Sequence, residues 1–140
     1  SYNKGDITME NIQKKLGEAE LEIMQVIWES EPPLTSNYIL KELQERRKWQ
    51  LSTLMTSLSR LVDKGFLSCD RATGTNLYSP VVAENDYKAK ESGSFLKKLY
   101  HNSLQSMVAT LYHNQMLKRS DVGELRTFLD ELEKNEEGKG

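Results

Sequence analysis

Apolar residues recur at helical spacing in three successive stretches, and the period changes after the third. From Gly17 to Ser30, Leu21, Met24 and Trp28, with Ile23 and Ile27 alongside, form a stripe that predicts a first helix. Glu18, Glu20 and Glu22 stand in its first turns, where the helix dipole favours negative charge. "ESEPP" ends it, because Pro32 and Pro33 cannot continue a helix. Thr35 or Ser36 can cap a second helix, "TSNYILKELQER", with Ile39, Leu40 and Leu43 on its buried side. A polar turn, "RRKWQ", leads to a third. There Leu51, Leu54, Met55, Leu58, Leu61 and Val62 predict a buried face, opposite Ser52, Thr53, Thr56, Ser57, Ser59 and Arg60. Gly65, closing "DKG", is placed as the left-handed cap of this helix.

Beyond Gly65, "FLSCDR" and "LYSPVV" read as short strands joined by the turn "ATGTN", a hairpin that closes near Val82. The remainder reads as helical. "SFLKKLYHNSLQSMVATLYHNQML" carries Phe95, Leu96, Leu99, Leu104, Met107, Val108 and Leu111 as one stretch. "SDVGELRTFLDELEK" begins with a capping-box-like Asp121 and Glu124 and continues with Leu125, Phe128, Leu129 and Leu132. These stripes have no large core of their own, so they are expected to form a homodimer; the alternative is packing against their own domain. Residues 135–140, "NEEGKG", are expected to be a disordered tail. The first fifteen residues are expected to be flexible, with 1–8 a remnant of cloning and Met9 the initiator. The division expected is therefore 16–83 and 84–134.

Three helices followed by a hairpin is the layout of a winged helix-turn-helix. The fold class expected is mainly α, with a winged helix-turn-helix DNA-binding domain followed by a C-terminal helical dimerisation region. In this layout the third helix enters the major groove and the hairpin lies along the phosphates. That accounts for a helix face of hydroxyls where Lys, Glu or Gln would be better helix formers. Short hydroxyl side chains permit close approach and bond to phosphates or base edges. The groove-facing candidates are Ser52, Thr53, Thr56 and Ser57, with Gln50 at the helix start and Arg60, Lys64 and Arg71 as phosphate contacts. A surface helix that happens to be rich in Ser and Thr is the plainer alternative.

Over 140 residues the formal net charge is −2, which argues mildly against nucleic acid. Location changes the picture. Between Lys41 and Arg71, the seven cations Lys41, Arg46, Arg47, Lys48, Arg60, Lys64 and Arg71 face four anions, Glu42, Glu45, Asp63 and Asp70. No apolar run approaches the roughly 18 residues that span a membrane, so no stable membrane association is expected. The single Cys69 excludes an internal disulfide and fits a cytoplasmic protein. His101 and His113 have no metal-ligand spacing, and no phosphate-binding Gly loop or G-x-S-x-G is present. The expectation is a non-enzyme without catalytic residues, metal or cofactor, with Trp28 and Trp49 as packing residues.

The stretches "LGEAELEIMQVIWE", "LTSNYILKELQ" and "WQLSTLMTSLSRLVDKGFL" resemble the penicillinase-repressor (BlaI/MecI) family of bacterial transcription regulators, from Leu16 to about Leu132. The most specific features are A-E-x-x-I-M-x-x-I-W in the first helix, W-x-x-x-T at the start of the third and L-x-x-K-G-F at its end. The resemblance implies a homodimer that binds double-stranded, inverted-repeat operator DNA and represses β-lactam resistance genes. It also implies release through a membrane sensor-transducer with a zinc metalloprotease domain, which leads to cutting in the dimerisation region. Relatives carry basic residues where Ser52 and Met55 stand here, which implies a different operator or weaker binding. A gapless match puts the family's Asn-Phe cut at Thr110–Leu111, a different dipeptide, so no cleavage bond is assigned. The cysteine pairs of the family's copper-responsive members are missing. A winged-helix module that binds protein and not DNA is the rival reading.

Overall fold

The computed structural model describes residues 15–139, so the expectations for residues 1–8, for Met9 and for flexibility over residues 1–14 lie outside the described residues. The elements are α1 (Glu18–Glu29), α2 (Ser36–Gln44), α3 (Leu51–Asp63), β1 (Leu67–Asp70), β2 (Leu77–Pro80), α4 (Glu84–Tyr100), α5 (Leu104–His113) and α6 (Arg119–Lys139). Two compact units divide between Ser92 and Gly93, inside α4, and not at 83/84 as expected.

The first unit is built by local signals the sequence carries. Glu20 turns back to accept from the Gly17 amide at 2.9 Å, so the first turn of α1 is closed by its own side chain. Thr35 caps α2, its hydroxyl oxygen accepting from Tyr38 N at 3.1 Å. Gly65 ends α3 at φ 85°, a conformation that costs glycine nothing. β1 and β2 pair antiparallel, Leu67 opposite Pro80 and Asp70 opposite Leu77. Leu34 adds an isolated antiparallel bridge to β2, exchanging backbone bonds with Tyr78 at 2.9 and 2.7 Å. The core joins Ile23, Met24 and Ile27 of α1, Ile39 and Leu43 of α2, Leu54, Leu58 and Leu61 of α3, and Phe66 at the hairpin.

Tyr87, at the end of the first turn of α4, explains why the unit continues past the hairpin. Its hydroxyl accepts from Leu16 N at 3.0 Å, and its ring lies 5.9 Å from Trp28 and 5.8 Å from Phe66. Trp28 Nε1 donates to Val82 O at 3.0 Å in the same region. Trp28 is half-buried and Trp49 buried.

The second unit corrects the reading of one long helical stretch. α4 stops at Tyr100, because His101 and Asn102 take positive φ of 51° and 66°, and Ser103 caps α5 by accepting from Ser106 N at 3.1 Å. After α5, Gln115 is again left-handed and Met116 N donates back to Leu111 O at 2.8 Å. Asp121 accepts from Lys118 N at 2.8 Å, so α6 starts ahead of the expected Asp121–Glu124 position. The same helix runs through to Lys139, so residues 135–139, expected to be disordered, are helical.

Candidate nucleic-acid interface

At about 100° per residue, Ser52, Thr53, Thr56, Ser59, Arg60 and Asp63 fall within roughly 120° of one another around α3. All six are exposed. Leu54, Leu58 and Leu61 are fully buried on the other side and hold the helix to the core. Two expectations for this helix need correction. Ser57 lies on the buried stripe with these leucines, at 7% exposure, and so leaves the groove-facing set. Leu51, expected inside, is exposed because it is the first residue of the helix and stands at the edge of the packing; Met55 and Val62 are half-buried.

Gln50 is the N-cap residue of α3 and makes no side-chain cap bond, so its exposed amide and the first helical N–H groups have no partner among the described residues. Thr56 Oγ1 donates to Ser52 O at 3.0 Å, which leaves its lone pairs and methyl group outward. The turn before α3 is held from inside. Gln44 Nε2 donates to Trp49 O at 3.1 Å, and the Arg47 guanidinium lies 4.4 Å from the centre of the buried Trp49 ring. Trp49 Nε1 is buried without a partner among the described residues.

The cations divide into two groups. Arg46 pairs with Glu29 at 3.4 Å, Arg47 with Glu22 at 3.0 Å, and Lys64 with Glu20 at 2.7 Å. Burial by itself would raise the Glu20 carboxyl. The bonds from Lys64 and the Gly17 amide, with the positive charges of Lys64 and Arg60, outweigh it and hold the group below the usual glutamate range. Lys64, expected to reach phosphate, is therefore committed to Glu20. Lys41, Lys48, Arg60 and Arg71 are exposed and make no ion pair among the described residues. Arg71 stands at the hairpin turn, where Asp70 Oδ1 accepts from Ala72 N at 2.9 Å and Gly74 takes φ 85°. Lys41 and Lys48 belong to this exposed set although no individual contact was assigned to them from sequence. Their signal was the local excess of positive charge.

The second unit presents a different kind of surface. Phe95, Leu99, Leu104, Leu125, Phe128 and Leu129 are all exposed, Leu99 to 59%, while Leu96, Met107, Val108 and Leu111 are half-buried. An open groove of about 540 Å³ lies between α5 and α6, lined by Val108, Ala109, Tyr112 and Val122 and edged by Arg119 and Arg126. Among the described residues no cluster of His, Cys, Asp or Glu is arranged to hold a metal, and no helix is long and apolar enough to cross a membrane.

Comparison with known proteins finds the penicillinase repressor family model matching residues 16–131. The Bacillus licheniformis penicillinase repressor is 35% identical over 117 residues, covering 84% of this chain and 91% of its own. The methicillin resistance regulatory protein MecI of Mammaliicoccus sciuri is 31% identical over 122 residues, 87% of this chain and 98% of its own. The solved DNA-binding domain of the repressor BlaI is 36% identical with a TM-score of 0.47, over 52% of this chain and 88% of that one.

Proposed function

The chain belongs to the penicillinase repressor family, and from that premise we propose that it is a transcriptional repressor of β-lactam resistance genes, holding an inverted-repeat operator as a homodimer. The observation that carries the reading is the exposed face of α3. Ser52, Thr53 and Thr56 with Gln50 at one end and Arg60 at the other form a short-side-chain surface, which a major groove accommodates at close range. Thr53 and Ser52 donate to base edges or phosphates, the Thr56 methyl meets a thymine methyl, and Arg60 binds phosphate. The uncapped N–H groups at the start of α3 suit a further phosphate oxygen. Arg71 on the hairpin and Lys48 beside α3 complete a rim of cations.

The apolar face of the second unit supports the dimer. Phe95, Leu99, Leu104, Leu125, Phe128 and Leu129 stand exposed there, more than a monomer ordinarily leaves to water in so short a stretch, and a second copy is the occupant the family reading supplies. Two winged helices joined in this way bind two half-sites as one event, at high effective concentration. Repression then ends when the joining region is cut, through a membrane sensor carrying a metalloprotease domain, because a single half binds far more weakly. The chain acts by binding and contributes no chemistry of its own.

The test is a selection from sheared genomic DNA of the source organism at physiological salt, with sequencing of the retained fragments. A few enriched promoters sharing an inverted repeat, with a β-lactamase or sensor gene beside them, is the expected result. Uniform retention, or none, overturns the repressor reading and favours a winged helix that binds protein.

A further inference from the structure

The acidic stripe of α1 is unused by the DNA-binding reading. Glu22, Gln25 and Glu29 are spaced by three and four residues and so share one helix face. That face meets two arginines from the turn between α2 and α3. Arg47 Nε donates to both Glu22 oxygens, at 3.0 and 3.1 Å. Arg46 reaches Gln25 Oε1 at 3.2 Å and Glu29 Oε2 at 3.4 Å. Arg47 is held a second time by the Trp49 ring, 4.4 Å from its guanidinium. The next residue in the same turn, Lys48, makes no ion pair among the described residues.

We propose that the Glu22–Gln25–Glu29 stripe is an internal counter-ion that withholds Arg46 and Arg47 from phosphate and so holds down the affinity of this protein for DNA of arbitrary sequence. The inference rests on the reading that α3 and its surroundings meet DNA. Phosphate contacts carry no sequence information, and each cation that reaches one releases counter-ions at every site alike. Two guanidinium groups at the approach to α3 would strengthen that indiscriminate component. Each carboxylate takes up a guanidinium donor that a phosphate would use, Nε of Arg47 and one terminal nitrogen of Arg46, and neutralises the charge that would attract the phosphate. Both arginines remain partly exposed, so the restraint is competitive and graded.

The test is a mutant cycle on a mixed-sequence duplex without an inverted repeat, titrated across a range of salt. Wild type, Glu22→Gln, Arg47→Gln and the double variant are compared, and Glu29→Gln with Arg46→Gln forms a second, independent cycle. Glu22→Gln should bind severalfold more tightly, with a plot of log K against log salt steeper by about 0.9, one additional phosphate contact. Arg47→Gln alone should leave the wild-type affinity in place, and in its background Glu22→Gln should have no effect. An equal gain in both backgrounds is the general effect of deleting a negative charge near DNA, and it overturns the proposal. So does no gain in either cycle. Wild-type protein with no affinity for any duplex removes the DNA-binding reading and this inference together, whereas binding with a flat cycle removes only the inference.

Discussion

Placing a lysine at Ser52 and, separately, at Ser57 tests the orientation of α3 and its meeting with phosphate in one experiment. The two positions are about 140° apart around the helix. Ser52 is exposed, with no core contact to disturb, so Ser52→Lys should change stability by no more than about 0.5 kcal/mol. It adds a cation to the face proposed to approach DNA, and should steepen the salt dependence by about 0.9 per protomer on a mixed-sequence duplex. Ser57 is 7% exposed and shares its stripe with three fully buried leucines. A lysine stem there overpacks the core, at about 1–3 kcal/mol, and an ammonium kept from water adds several more. Snorkelling of the ammonium toward the helix edge relieves the second cost and not the first. Against a total stability of about 5–15 kcal/mol, Ser57→Lys should lose a large part of the fold. Urea midpoints followed by circular dichroism measure the stability, and fluorescence anisotropy over a salt series measures the slope. A Ser57→Lys protein with the wild-type midpoint and a steeper slope would refute the orientation of α3. An unchanged slope in Ser52→Lys would remove this face from the DNA surface.

Three further outcomes are expected. Because Glu20 titrates below its ordinary range when folded, its contribution is complete above about pH 4.3 and is lost as pH falls through the lowered value. Wild type should therefore exceed Glu20→Gln in stability at neutral pH and converge with it in acid, as read from melting temperatures over a pH series; a gap that persists at low pH would show another origin. Tyr87→Phe removes the acceptor of the buried Leu16 amide and should cost about 1–3 kcal/mol in denaturant, and a neutral result would mean water replaces it. Leu99→Asp with Leu129→Asp should give monomers by light scattering, since both side chains are exposed in the single chain; persisting dimers would place the contact elsewhere.

The first unit was legible where a signal is local. Helix spacing, the Thr35 cap, the prolines after α1 and the left-handed Gly65 each act within a few residues, and α1 to α3 and the hairpin follow from them. Ser57 was misplaced because polarity was read as exposure, although its spacing of three and four residues from Leu54 and Leu61 already puts it on their stripe. The break after Tyr100 had its own local signal, an Asn and a Ser in succession, one tolerant of positive φ and the other a cap. It was overridden by an apolar spacing that runs on regardless, because the faces of α4 and α5 share one character. The domain boundary was illegible for the opposite reason. Tyr87 and Leu16 are 71 residues apart, and nothing in either neighbourhood announces the other.

Charge shows the same distinction with a consequence for function. Counting from Lys41 to Arg71 gave a cationic region, and Glu18, Glu20 and Glu22 marked the first helix as acidic. Folding brings the two together, so that three of the seven cations are spent on α1 while Lys41, Lys48, Arg60 and Arg71 stay outward. The positive charge left outward is therefore smaller than the local sum implies, and on the proposed reading recognition leans on the hydroxyls of α3. A protein built this way should discriminate among sequences through close contacts and hold arbitrary DNA loosely. That is the behaviour expected when short side chains read the groove and the nearest arginines are already occupied.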